Sequence, residues 1–311
     1  MKALALPSFD EEPSVMEVDD PVPGSGEVLV RVAAASVNAF DVRVASGGVR
    51  AFMTYEFPAV VGGDLAGTVE ALGDGVDAFA VGDRVFGMMG MKGGVHDGSF
   101  GELATPTAVS IAKAPHGLTD IDGGSLAVAG STAMSAVDIV APDEGMTVLV
   151  LGATGGVGAF ALQLAHIRGA HVIASVRPGD EGFVADLGAA ETIDYTGDVA
   201  SEVRHRYPDG VDAVVDAVSY GDEAFAAVAG NVRSGGIVVS TRGAAGEETQ
   251  IGNVRVANGN ANPAHLLPLA DLVVTEKLSV PVRRTYPLAD AAQAIRDFAE
   301  EHTVGKLVIT M

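Results

Sequence analysis

Cysteine and tryptophan are missing altogether from the 311 residues. Without cysteine there is no disulfide, no thiolate metal site and no thiol nucleophile. Aromatic residues make up only 5% of the chain, and 19 basic residues face 41 acidic ones, a formal net charge of -22. So acidic a surface repels nucleic-acid phosphates and anionic lipid, and neither is an expected partner. No apolar run stays free of glycine and charge for the length a bilayer needs, and Met1-Lys2-Ala3-Leu4 lacks the layout of a signal peptide. The expectation is a soluble, cytoplasmic protein. What is present is plentiful: 48% hydrophobic residues and 40 glycines, with a mean hydropathy of +0.31. That is core enough for two domains with many tight turns.

The most informative stretch is Thr147-Val148-Leu149-Val150-Leu151, then Gly152-Ala153-Thr154-Gly155-Gly156-Val157-Gly158, then Ala159 to Arg168. The aliphatic run reads as a strand buried on both faces. Glycines follow at 152, 155, 156 and 158, a G-x-x-G-x-x-G spacing with one extra glycine, where the common fingerprint is G-x-G-x-x-G. A helix opens at Ala159 and Gly169 stops it. Gly169 to Val176 then supplies a second strand at βαβ distance. Strand, turn and helix N-terminus gather free N–H groups in one place, which predicts a dinucleotide site.

Around this centre the chain falls into two kinds of pattern. Lys2 to Leu6, Gly26 to Val37, Phe57 to Gly73 and Val81 to Gly87 read as short strands at turn-rich spacing, so residues up to about 115 predict a β domain. Helical patterns start near Asp120 and run through Val140 into the βαβ core. Later strands are expected at Glu191–Tyr195, Val211–Val218 and Gly236–Ser240, with helices between them, a doubly wound arrangement. Val280–Val282 reads as a strand, Asp290 to Glu300 as an amphipathic helix and Gly305 to Thr310 as a final strand that folds back onto the first domain. The fold class expected is α/β.

The sequence resembles the medium-chain dehydrogenase/reductase superfamily, in its zinc-free quinone oxidoreductase (zeta-crystallin-like) branch. The resemblance is carried in order by Ser36-Val37-Asn38-Ala39-Phe40-Asp41, Gly63-Asp64-Leu65-Ala66-Gly67-Thr68-Val69, Gly82-Asp83-Arg84-Val85, Ala129-Gly130-Ser131-Thr132-Ala133, the glycine loop, and Gly305-Lys306-Leu307-Val308. It implies a GroES-like domain over 1–120 and 279–311, a Rossmann domain over 121–278, and a homodimer formed through the Rossmann sheet edge. Zinc-bearing relatives have a cysteine where Asn38 to Asp41 lies and Gly-His-Glu where Gly62-Gly63-Asp64 lies; neither ligand is present. His166 and His171 flank a Rossmann helix, and His96 has only Asp97 beside it in a glycine loop, so no metal is predicted. Short-chain dehydrogenases need a lysine four residues after a tyrosine. Here the five tyrosines meet Ala59, Val199, Val211, Ala224 and Asp290 instead.

The expected second strand ends Ala174-Ser175-Val176-Arg177-Pro178, with hydroxyl and guanidinium where an NAD enzyme keeps a ribose-binding acid. Arg177 and Ser175, with Tyr195 by resemblance, therefore favour NADP(H) over NAD(H). Asp180 or Glu181 turning back to the ribose is the alternative. The resemblance implies cofactor contacts at Thr132, Gly152, Ala153, Thr154, Gly155, Gly156, Val157, Gly158, Val218, Ser219, Ser240 and Thr241. Thr132 reads equally as a helix-packing hydroxyl, Asn38 as an Asx-turn residue and Asp41 as a helix cap. Asn38, Arg43 and Tyr55 are the candidate catalytic residues, Tyr55 as a hydrogen-bond donor and Arg43 as an oxyanion stabiliser; Tyr55 reads also as a packing aromatic. The activity implied is hydride transfer from NADPH to a small-molecule quinone. An enone or enoyl reductase, and an NADPH-binding protein without turnover, are the alternatives.

Overall fold

The computed structural model describes residues 1–90, 94–95, 97–247 and 249–311. Two compact units emerge, one of Met1–Val128, Leu266–Thr275 and Val280–Met311, the other of Ala129–His265 and Glu276–Ser279. The boundary anticipated at 120/121 thus falls at 128/129, inside the helix Asp120–Val140, and the helix Leu266–Val274 groups with the first unit.

The first unit is built on a seven-stranded sheet. Its main path runs Ile111–Lys113, Arg84–Met88, Asp64–Leu72, Val28–Ser36, Lys306–Thr310 and Val282–Pro287. Alternation in Val28–Ser36 sends Val28, Val30 and Val32 into a core with Leu65, Val69, Phe100 and Ile309. The closing strand Lys306–Thr310 pairs antiparallel with Ala34 to Ser36, so the end of the sequence completes the sheet begun at residue 28. The strand expected at Val280–Val282 instead starts at Val282 and reaches Pro287.

The second unit is a doubly wound sheet. Six parallel strands lie in the order Glu191–Asp194, His171–Val176, Thr147–Leu151, Val211–Asp216, Val232–Ser240 and Val254–Asn258. Gln250–Ile251 adds an antiparallel edge. The strand order reverses between Thr147–Leu151 and Val211–Asp216, the point where such sheets bind ligands beyond their carboxyl ends. Val148, Leu149 and Val150 are fully buried, as a central parallel strand requires. Among the described residues one helix, Asp120–Val140, is long and apolar enough to cross a membrane, although no such run was expected; 78% of that stretch is buried in the protein, the setting of a core helix.

Candidate active site

In the second unit the glycine turn is held from three sides. Gly152 has φ +75°, a left-handed conformation that a side chain would strain, and its N–H is donated to Ser175 Oγ at 3.0 Å. Its carbonyl accepts the N–H of Gly155 at 3.0 Å. A Cβ on Gly158 would lie 2.1 Å from that same carbonyl, so only glycine lets the helix pack this close to the turn. The helix starts at Gly156, three residues before the expected Ala159, with Gly155 as N-cap. The N–H groups of Gly156, Val157 and Gly158 therefore open a 12-residue helix with no preceding turn to receive them. Ala153 and Thr154 are buried beneath. This cradle fits a dinucleotide pyrophosphate.

Ser175 is buried, and by accepting the Gly152 N–H it steadies the loop rather than standing as an exposed donor. Arg177 is exposed beyond the strand end, with its guanidinium carbon 5.9 Å from the ring centre of Tyr195. Glu181 accepts the N–H of Gly179 at 2.8 Å, so its carboxylate closes a local turn.

The neighbouring strand ends converge on Asp216. Its Oδ1 accepts the N–H groups of Val218 and Ser219 at 2.9 and 3.0 Å, and its backbone carbonyl accepts the N–H of Thr241 at 2.9 Å. Oδ2 is buried and has no partner among the described residues, an acceptor that a ligand hydroxyl or a water would satisfy. Ser240 Oγ accepts the N–H groups of Arg242 and Ala244, which shapes the following loop. A Cβ on Gly152 would meet Val218 at 2.7 Å, so glycine turn and 217–219 turn pack together. Thr132 is buried in its helix.

The first unit brings Asn38, Asp41, Asp64 and Lys306 into one buried network. Lys306 Nζ donates to Asn38 Oδ1 at 2.7 Å and to the Val37 carbonyl at 3.3 Å, and lies 3.7 Å from Asp64 Oδ2. Asn38 Nδ2 donates to Asp64 Oδ2 at 2.8 Å and to the Ser36 carbonyl at 3.3 Å. Ser36 Oγ donates to Asp64 Oδ2 at 2.6 Å, and Val128 N–H to Oδ1 at 2.6 Å. Asp41 Oδ2 accepts the Asn38 N–H at 2.7 Å, capping the helix Ala39–Ala45. Burial pushes the Asp41 carboxyl up to about 7, with the charge of Asp64 adding to the rise, while the Asn38 N–H and Lys306 oppose it. Burial likewise lowers Lys306, against the pull of Asp64 and Asp41.

Both ends of the Asn38 amide are therefore engaged inside the protein. The zinc that some relatives of this pattern carry does not fit here: a metal cation at Asp64 would confront the Lys306 ammonium, and both carboxylate oxygens already accept hydrogen bonds. Among the described residues no group of three His, Asp or Glu is placed to hold a metal; His96 lies outside those residues. Tyr55 donates its hydroxyl to the Val44 carbonyl at 2.9 Å, and burial raises its phenol above the ordinary value. Its ring packs with Phe9 and Phe57, which makes it a packing aromatic first. Arg43 is exposed, 5.7 Å from the ring centre of Phe52.

Sequence reasoning named Asp64 and Lys306 only as pieces of motifs and gave Asp216 no role. A lysine heading Leu307-Val308-Ile309 and an acid closing Val211-Asp212-Ala213-Val214-Val215 were the available signals. A charge in a run otherwise buried demands a partner.

Family models match two parts of the chain: an alcohol dehydrogenase GroES-like domain at 24–116 and a zinc-binding dehydrogenase domain at 187–309. The chain is 29% identical over 309 residues to a chloroplast envelope quinone oxidoreductase homolog of Arabidopsis thaliana, covering 94% of this chain and 92% of the relative. It is 30% identical over 290 residues to an NADPH-dependent alkenal/one oxidoreductase of the same plant, covering 91% and 72%. The structure of the quinone oxidoreductase from Coxiella burnetii matches with a TM-score of 0.88 at 26% identity, over 100% of this chain and 99% of that one.

Proposed function

Because the chain belongs to the medium-chain dehydrogenase/reductase superfamily, among its quinone oxidoreductases, and is an NAD(P)(H)-type oxidoreductase, we propose that it passes hydride from NADPH to a quinone. The observation that carries the cofactor choice is Arg177, exposed beside Tyr195 at the second strand end, with Glu181 turned to Gly179. A guanidinium there pairs with a 2′-phosphate, while Glu181, one of the two acids that could turn back to the ribose, is engaged with the Gly179 N–H.

When bound, the dinucleotide supplies the hydride. The chain's part is to bind and orient. Within the turn Gly152 to Gly158, the N–H groups of Gly156, Val157 and Gly158 would hold the pyrophosphate, and Val218, Ser219, Ser240, Thr241 and Thr132 would border the remainder. Asn38, fixed by Lys306 and Asp64, and Arg43 and Tyr55 belong to the acceptor side in this reading. One quinone, one NADPH and one proton give one hydroquinone and one NADP+. The hydroquinone anion takes its proton from water, so the engaged Tyr55 hydroxyl need not serve as an acid. The alkenal/one relative supports a second reading, hydride addition to the β-carbon of an enone. A homodimer built on the sheet edge at Gln250–Ile251, and residence in the cytoplasm, complete the proposal.

The test of the cofactor choice is Arg177→Leu. The expected result is a KM for NADPH raised about tenfold with NADH changed less than about twofold, the loss of one charge-assisted contact. Equal effects on both dinucleotides, or none, would overturn it.

A further inference from the structure

This chain has 11 phenylalanines, five tyrosines and no tryptophan. Yet Phe9, Tyr55 and Phe57 form one cluster in the first unit, with ring centres 4.9, 4.9 and 5.8 Å apart. Phe9 and Phe57 remain 44% and 41% exposed, and nearby in sequence Phe52 is 61% exposed. Rings left this open on an aromatic-poor surface mark an interaction site. Phe9 also packs on the 39–57 segment itself, since a Cβ at Gly47 would stand 2.9 Å from its ring.

The cations beside these rings carry the inference. Arg50 lies over Phe9 and Arg43 over Phe52, each 5.7 Å from the ring centre. Other arginines of this acidic chain do sit on carboxylates: Arg31 with Glu70, Arg84 with Asp120, Arg233 with Asp212. Among the described residues neither Arg43 nor Arg50 forms an ion pair, although Asp10 adjoins Phe9 and Glu56 stands between Tyr55 and Phe57 in sequence. Both guanidiniums keep N–H donors for an incoming group, and the rings limit the directions in which they can point.

We propose that Arg43 and Arg50 make the acceptor site selective for a flat, conjugated carbonyl compound that carries an anionic substituent, such as a carboxylate or phosphate. The conjugated ring packs against the stacked Tyr55 and Phe57 rings with Phe9 edge-on beside them, and the anion is taken by the two guanidiniums. This rests on the reading that the 38–57 segment lines the acceptor side. It goes beyond quinone reduction in naming the substituent that the chain selects.

The probes are 1,4-naphthoquinone-6-carboxylate and its methyl ester, a pair with the same ring and one charge of difference, reduced with NADPH. The wild-type KM for the acid should lie about tenfold below that for the ester, the scale of one charge-assisted pair. Arg50→Met and Arg43→Met should each erase most of that ratio, and the double variant should abolish it. Equal wild-type values, or a preference surviving the double variant, would overturn the inference. If neither compound is reduced, the quinone reading fails on its own. Calorimetric affinities of the same two compounds then decide the arginines: an acid preference lost with Arg43 and Arg50 upholds the selectivity, and equal affinities end it.

Discussion

Folding takes Asp41 from water, where its carboxyl titrates near 3.8, to a site where burial pushes it up to about 7. Between those values the native state holds a proton that the unfolded chain has released. Stability therefore falls as pH rises through this window, and the penalty is complete above about 7. Asp41→Asn keeps an oxygen for the Asn38 N–H but cannot ionise. Its unfolding free energy relative to wild type should grow by about 2 kcal/mol between pH 5 and pH 8; an offset that is flat with pH in urea melts would contradict the assignment. Lys306→Met removes the ammonium next to a fully buried Asp64 and leaves Asn38 Oδ1 without its donor. A loss of about 3–5 kcal/mol is expected in the same melts, because a buried charge is left uncompensated. An unchanged midpoint would mean that the pair contributes little. At this scale the sequence showed the participants but not their meeting. Asn38 and Lys306 are 268 positions apart, and no local spacing encodes such a contact.

Elements were more legible where they are long and periodic. Thr147–Leu151 and the helix Asp120–Val140 stand where the apolar runs place them. The two-residue strand Thr54–Tyr55 had no readable signal, and the helix Ala39–Ala45 showed only the cap at Asp41, since elements so short depend on partners distant in the chain. The same holds for residues 243–263, where Val254–Asn258 is a strand only by its place beside Val232–Ser240. The glycine turn shows what local reading does capture. Gly158→Ala would set a methyl 2.1 Å from the Gly152 carbonyl and should cost at least about a hundredfold in NADPH affinity, as the turn opens and its N–H groups disperse. Gly182 lies in the helix Glu181–Asp186 with nothing within 4 Å of an added Cβ. Gly182→Ala should instead stabilise by about 0.5–1 kcal/mol with affinity intact. Similar behaviour of the two variants in dinucleotide titrations would show that the close packing at Gly158 is not what the ligand needs.

At the scale of the whole molecule, two sheets of different character arise from one chain, a β-rich unit with a C-terminal return and a doubly wound unit with its strand-order reversal beside the glycine turn. The absence of cysteine already narrowed the chemistry, and the Lys306–Asp64 pair shows what occupies the centre of the first unit. The acceptor was not legible from residues alone, because the side chains proposed to recognise it, Arg43, Arg50 and Phe57 among them, follow no periodic pattern. The measurement that tests the account most directly is steady-state oxidation of NADPH, and of NADH beside it, with 9,10-phenanthrenequinone as acceptor. The account predicts turnover in which kcat/KM for NADPH exceeds that for NADH by at least about tenfold. Turnover that favours NADH, or none with the quinone while an enone is reduced, would contradict it.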